Sequence, residues 1–167
     1  MPQIEVETEI YSDIHTCFDL ARDIDVHKES LKHTGEIPIA GRTSGLIKLG
    51  EWVSWEALHF GIVQHLTSKI TEFDRPNYFV DEMIFGAFKS YRNEHIFKQE
   101  NGKTIMINKF DFESPYGIIG KLVNWLFLKK YMTKLLKIRN KMLKSTAEDI
   151  EVKKLRSKLR LSEFTKL

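Results

Sequence analysis

Two histidines sit where they could do acid–base work. His59 closes an aromatic-rich run from Trp52, and His95 lies in the run from Ser90 to Lys98. Imidazole titrates near neutrality, so either can serve as a general acid or base if a carboxylate such as Asp81 or Asp111 orients it. A core histidine bonded to a backbone carbonyl is the commoner arrangement, and the sequence does not choose between the two. Alternation decides which neighbours share their faces. Val53, Trp55, Ala57 and His59 form one set; Tyr91, Asn93, His95 and Phe97 form a second; Thr104, Met106, Asn108, Phe110 and Phe112 form a third. Each set mixes bulky apolar groups with a polar one. That is the make-up of a small-molecule pocket, and also of a core whose polar groups are satisfied.

Other chemistries find no support. No His-x-x-x-His or Cys-x-x-Cys spacing occurs, and nothing pairs Cys17, His27 or His33 at metal-ligand spacing, so no metal is expected. No Gly-x-Gly-x-x-Gly, Walker or Gly-x-Ser-x-Gly pattern is present, so neither a nucleotide loop nor a nucleophile elbow is expected, and no cofactor is implied. Trp52, Trp55 and Phe60 could stack on bases, but Glu51 and Glu56 flank them and repel phosphates. Nucleic acid is not an expected partner.

The elements that position these residues follow from periodicity. Ile4, Val6, Thr8 and Ile10 alternate with Glu5, Glu7 and Glu9, a half-buried strand with an acidic outer face. Ser12-Asp13 offers a helix N-cap; Phe18, Ala21 and Ile24–Asp25 then recur at helical spacing, a break and restart is expected before Leu31, and Gly35 ends the region. From Glu36 to Glu113 the texture is strand and turn: Ile37–Ile39, Trp52–Phe60, Ile62–Phe73, Tyr78–Phe85, Ser90–Lys98 and Thr104–Glu113. Asp74-Arg75-Pro76-Asn77 and Glu100-Asn101-Gly102-Lys103 read as turns. After Pro115 and Gly117 a long amphipathic helix is predicted over Ile118–Glu148, with Leu122, Trp125, Leu126, Leu128, Met132, Leu135, Leu136 and Leu143 on its apolar side. A meander with one apolar face to cover and a helix able to cover it make an α+β domain.

These residues together resemble the SRPBCC (START-like, polyketide cyclase) superfamily. Thr43-Ser44-Gly45-Leu46, Trp55-Glu56-Ala57-Leu58-His59-Phe60-Gly61 and Phe79-Val80-Asp81-Glu82 look like its bacterial cyclase/dehydrase-like, or cell-division-inhibitor-related, branch. So do Gly86-Ala87-Phe88, Glu94-His95-Ile96-Phe97 and Pro115-Tyr116-Gly117, and the resemblance spans residues 3–148. It implies a helix-grip fold, in which a curved antiparallel sheet of six or seven strands wraps round the long C-terminal helix. It also implies a cavity between sheet and helix for a hydrophobic or amphipathic molecule, lipid-like or polyketide-like. Trp55, His59, Met83, Tyr91, Asn93 and His95 would line that cavity with Met106, Asn108 and Phe110, and Leu122, Trp125 and Leu126 of the helix would close it. Asn93 stands where the pattern commonly has histidine, and Asn108 where it has aspartate. That thinning of ionisable groups favours binding over a cyclase or dehydratase reaction run by His59 or His95.

Charge divides the chain. Residues 1–120 hold 12 of the 26 Lys and Arg but 19 of the 23 Asp and Glu, whereas residues 121–167 hold 14 and 4. A ligand-binding domain over residues 1–148 followed by a basic tail or helix extension over 149–167 is the expected organisation. The basic end could meet a protein partner or an anionic membrane surface. With one cysteine no intrachain disulfide can form. The acidic, alternating start is unlike a secretory signal, and Ile118–Leu128 is too short and polar to span a bilayer. A cytoplasmic protein is expected.

Overall fold

The computed structural model describes the backbone of residues 3–113 and 121–164, and the side chains of 4–113 and 126–161. Strand β1 (Gln3–Ile10) leads into α1 (Ile14–Ala21) and α2 (Ile24–Ser30). Asp13 caps α1 by accepting from the Thr16 amide at 2.9 Å, and Asp23 caps α2 by accepting from the amides of Asp25 and Val26. The second cap explains why the helical stretch breaks: Asp23 cannot both continue α1 and cap α2. A 3₁₀ turn over Lys32–Thr34 ends at Gly35, which takes the left-handed conformation with φ 66°.

Six strands follow: β2 (Ile37–Gly41), β3 (Trp52–His59), β4 (Ile62–Asp74), β5 (Tyr78–Phe85), β6 (Ser90–Glu100) and β7 (Lys103–Glu113). They form one antiparallel meander, and β1 adds beside β7, so the order is β1-β7-β6-β5-β4-β3-β2 across seven strands. Gly41 ends β2 at φ 76°, and a side chain there would strike the Trp52 carbonyl oxygen at 2.3 Å. Register shifts between Pro38 and Ala40, Thr67 and Ser68, and Ile70 and Glu72 bend the sheet. The helices α1 and α2 carry the chain from one sheet edge, β1, to the other, β2.

Helix α3 runs unbroken from Lys121 to Phe164, 44 residues and about 66 Å. It packs on β1, α1 and α2. This is the helix-grip α+β fold. The helix passes beyond the expected end at Glu148, while its predicted start at Ile118, with Pro115 to Gly117, lies outside the described residues. Its inward side carries Leu135, Leu136, Asn140, Leu143 and Ala147, all buried.

The interior is filled unevenly. At one end Phe18 of α1 meets Phe73, Phe79 and Phe97 edge-on, with centroids 5.3–5.4 Å apart, and Met106, Leu143 and Ala147 complete that cluster. At the other end Ile4, Val6, Tyr91, Phe110, Phe112 and Leu136 form a second. Edge-to-face rings add about 0.5–1.5 kcal/mol per pair beyond burial alone.

Candidate functional site

Between the two clusters a cavity of about 190 Å³ remains. The inward set of β3 lies along it: Val53, Trp55, Ala57 and His59. Tyr91 and Asn93 of β6 and Phe110 of β7 face it from across the sheet, and Leu128, Met132, Leu135 and Leu136 of α3 form the opposite wall. Phe60, His65 and Ala87 are the lining residues that keep most solvent exposure. They place the mouth between the β3–β4 turn and the β5–β6 loop.

The other expected residues sit elsewhere. His95, Met106 and Asn108 are fully buried behind the wall, and Met83 packs against the second cluster. Leu126 is 59% exposed. Successive helical residues turn by about 100°, so Leu126 falls nearly opposite the inward-facing Leu128. The side chains of Leu122 and Trp125 lie outside the described residues.

A chain of hydrogen bonds holds the polar groups behind the wall. Asn140 donates from Nδ2 to Thr8 Oγ1 at 3.1 Å and to Asn108 Oδ1 at 2.8 Å. That leaves Asn108 Nδ2 to donate to His95 Nδ1 at 2.8 Å. His95 therefore carries its proton on Nε2 and donates it to Asp81 Oδ1 at 2.8 Å. The Asn93 side-chain amide lies against the same pair, 3.1 Å from that carboxylate oxygen and 2.9 Å from His95 Nε2. Burial lowers the His95 pKa and outweighs the pull of Asp81, so the ring stays neutral, stacked on Phe79 at 4.2 Å. Burial by itself would raise Asp81, but its bonds to His95 and Tyr91 and the nearby Arg139 outweigh this and hold it ionised. Asp81 thus orients His95, whereas Asp111 alternates with the buried Phe110 and Phe112 and turns outward. Both ring nitrogens of His95 are engaged, which leaves no free nitrogen for a cavity ligand.

At the opposite wall the α2–β2 connection brings in groups that no pattern in the sequence marked. The His27 ring lies tilted against Trp55, with centroids 4.4 Å apart, and bonds Glu36 at 2.9 Å. Burial pushes the Glu36 carboxyl up, but His27, His59 and Arg139 together bring it below its ordinary value. His59 bonds the Tyr131 hydroxyl through Nδ1 at 2.7 Å, and burial lowers its pKa. Arg139 reaches into the cavity from α3 and donates to the Ala21 carbonyl oxygen at 2.6 Å. Burial lowers its pKa against the opposing fields of Asp81, Glu36 and Tyr91. Its signal in the sequence is spacing: Arg139 stands four residues from both Leu135 and Leu143, on the inward stripe. Among the described residues no group of three or more His, Cys, Asp or Glu side chains is placed to hold a metal ion.

A grip of seven strands on one long helix, with an apolar cavity whose polar groups are carboxylates, histidines and an arginine, defines a helix-grip domain. Solved structures agree on that fold. A START superfamily protein from Mycobacterium smegmatis aligns with TM-score 0.66 at 13% identity, over 89% of this chain and 98% of that one. A protein from Thermus thermophilus gives 0.67 at 20% identity, over 87% and 99%. The ginseng major latex-like protein 151 from Panax ginseng gives 0.63 at 15% identity, over 87% and 97%. At these identities the likeness speaks for the fold, and it does not distinguish the narrower bacterial branch. No family profile matches the sequence, and no curated protein matches it.

Proposed function

We propose that this protein binds a compact hydrophobic or amphipathic small molecule in the cavity and performs no covalent chemistry on it. The observation that carries this reading is the wall: aromatic and aliphatic side chains enclose about 190 Å³, with polar groups gathered at a few points. That make-up suits a ligand with an apolar body and a small polar head. Drug-sized pockets measure roughly 300–1,000 Å³, so a molecule of one or two rings, or a short acyl or polyketide segment, fits better than a full lipid. The engagement of both His95 nitrogens argues against acid–base turnover there. His59 faces the cavity, but its Nδ1 is paired with Tyr131.

The test is native mass spectrometry of protein purified from its source, joined to a filling variant. Ala57 is buried on the cavity wall. Ala57→Phe should weaken binding of a small aromatic probe at least tenfold while circular dichroism and melting stay near wild type. Unchanged binding in a folded variant would remove the cavity as the binding site.

A second reading concerns the outer face of α3. Lys130, Lys134, Lys137 and Lys141 are exposed and lie at i, i+4, i+7 and i+11, one stripe along the helix. Such a stripe favours contact with an anionic surface, separate from the cavity.

A further inference from the structure

The rim of the cavity mouth is apolar on both of its faces. β4 loses its β5 partner beyond Thr67, so the tip of the β3–β4 hairpin stands clear of the sheet. There Leu58 pairs with Val63, and His59 with Ile62. Adjacent pairs point to opposite faces, so Val63 covers one face of the tip and Ile62 the other. Beside them Phe85, paired with Thr67, ends β5. Leu58, Phe60, Ile62, Val63, Ile84 and Phe85 are each 53–66% exposed. Phe127 of α3 is 58% exposed and meets the Phe60 ring at 5.3 Å. Single exposed apolar residues are ordinary, but a contiguous group round a pocket mouth marks an interaction surface.

The charges beside this rim are of one sign. The segments 57–68, 83–91 and 126–134 contain Lys89, Lys129, Lys130 and Lys134 and no Asp or Glu. Two bordering acids are already paired, Glu56 with His65 at 2.9 Å and Glu113 with Lys89 at 2.8 Å. Lys130 and Lys134 follow Phe127 by three and seven residues, so that ring heads the basic stripe of α3.

We propose that the mouth of the cavity docks on an anionic lipid bilayer. The lysines hold the headgroups, while the β3–β4 tip, Phe85 and Phe127 enter the acyl boundary, so that a hydrophobic ligand reaches the cavity without crossing water. The proposal rests on the reading of the α3 stripe as a contact for an anionic surface, and adds which face meets it and what inserts. A bilayer is favoured over a second copy of the chain, because two such faces joined about a two-fold axis would set lysines against lysines.

The environment-sensitive fluorophore NBD, attached at Ile62→Cys, reads insertion directly. Cys17 is buried and burial pushes its thiol up to about 11, so it stays unlabelled. With vesicles of phosphatidylcholine and 30% phosphatidylserine at 50 mM salt, the label should brighten, shift to the blue and be quenched by doxyl-labelled acyl chains. The same label at Glu100→Cys, at the far end of β6, should do none of these. The charge-neutral pair Ile62→Ser with Phe85→Ser should weaken vesicle binding at least about tenfold. It should leave melting and naphthalene binding near wild type, since neither side chain is among those lining the cavity. Co-sedimentation with an Ile62 label that stays dim overturns the proposal and leaves the electrostatic contact of α3 standing. No co-sedimentation at 50 mM salt overturns both. Undiminished binding by the double variant removes the rim as the inserted group. Dimers in sedimentation velocity that vanish in the double variant would assign the rim to a second copy instead.

Discussion

Arg139 is the cation shared by two buried carboxylates, which makes its replacement informative. In Arg139→Met the ions of Asp81 and Glu36 keep their partners His95 and His27 but lose the cation that adds to them in offsetting desolvation. The variant should lose about 2–3 kcal/mol in urea unfolding at pH 7. The gap should narrow only in the acid range, as pH falls below the ordinary carboxylate values of 4.5 and 3.8 toward the lower folded ones, where both acids take up protons and need no cation. A loss that stays constant from pH 7 to about pH 2 would mean that Arg139 acts only through its packing and its bond to Ala21. His95 makes the opposite contribution. Its folded pKa lies below the ordinary value of 6.5, and so does that of His59. As pH drops through 6.5 the unfolded chain takes up protons first, so stability declines until the folded histidines protonate as well. His95→Gln should cost about 1–3 kcal/mol at pH 7.5 through its broken bonds, yet show a flatter profile of melting temperature between pH 7.5 and 5. A profile as steep as wild type would place the titration elsewhere.

At the scale of elements, the packing of α1 sets how long the cavity is. Phe18 is fully buried, and three of the residues around it, Ala21, Ile70 and Phe79, also line the cavity. Phe18→Ala should cost about 3–5 kcal/mol. It should also join the vacated space to the cavity, so that a longer probe binds the variant better than wild type relative to naphthalene; competition titrations with a graded series of alkyl naphthalenes would measure it. If the series ranks identically in both proteins, the helix merely caps the core. This plug explains why the sequence was partly legible. Alternation along β3, β6 and β7 showed which residues share a face, and that is enough to derive the meander and the face that meets α3. It could not show that Phe18 fills one half of the grip and moves His95 and Met106 from the cavity to the packed interior behind it. His27 and Glu36 were invisible for a related reason: they reach the cavity only because α1 and α2 cross from one sheet edge to the other, a long-range consequence of strand order. Arg139 was hidden among lysines, where a basic residue reads as solvated surface unless its i±4 spacing from Leu135 and Leu143 is counted.

For the molecule as a whole, the grip and the far end of α3 are separable. Among the described residues no helix is long and apolar enough to cross a membrane. Beyond Glu148 the helix leaves the core: Val152 is 46% exposed and Leu155 52%. Lys154 still ties back, to Asp13 Oδ2 at 3.0 Å and Thr16 Oγ1 at 3.2 Å. A chain ending at Lys154 keeps that tie and loses Arg156, Lys158, Arg160 and Lys166 against Glu163. Its unfolding free energy should change by less than about 1 kcal/mol, since exposed contacts contribute little. Its affinity for the cavity probe should not change. Sedimentation with vesicles of phosphatidylcholine and phosphatidylserine is the discriminating measurement. Each basic residue near an anionic surface contributes about 1 kcal/mol, and the attraction is screened within roughly 10 Å at 0.1 M salt. We therefore predict that the full chain co-sediments with 30% phosphatidylserine vesicles at 50 mM salt and is released at 500 mM. The truncated chain should bind more weakly, and glutamates replacing Lys130, Lys134, Lys137 and Lys141 should abolish binding while the cavity still takes its probe. Equal sedimentation of all three proteins, or binding indifferent to salt, would mean that the basic stripe of α3 is a solvated face and that the molecule's function is confined to the grip.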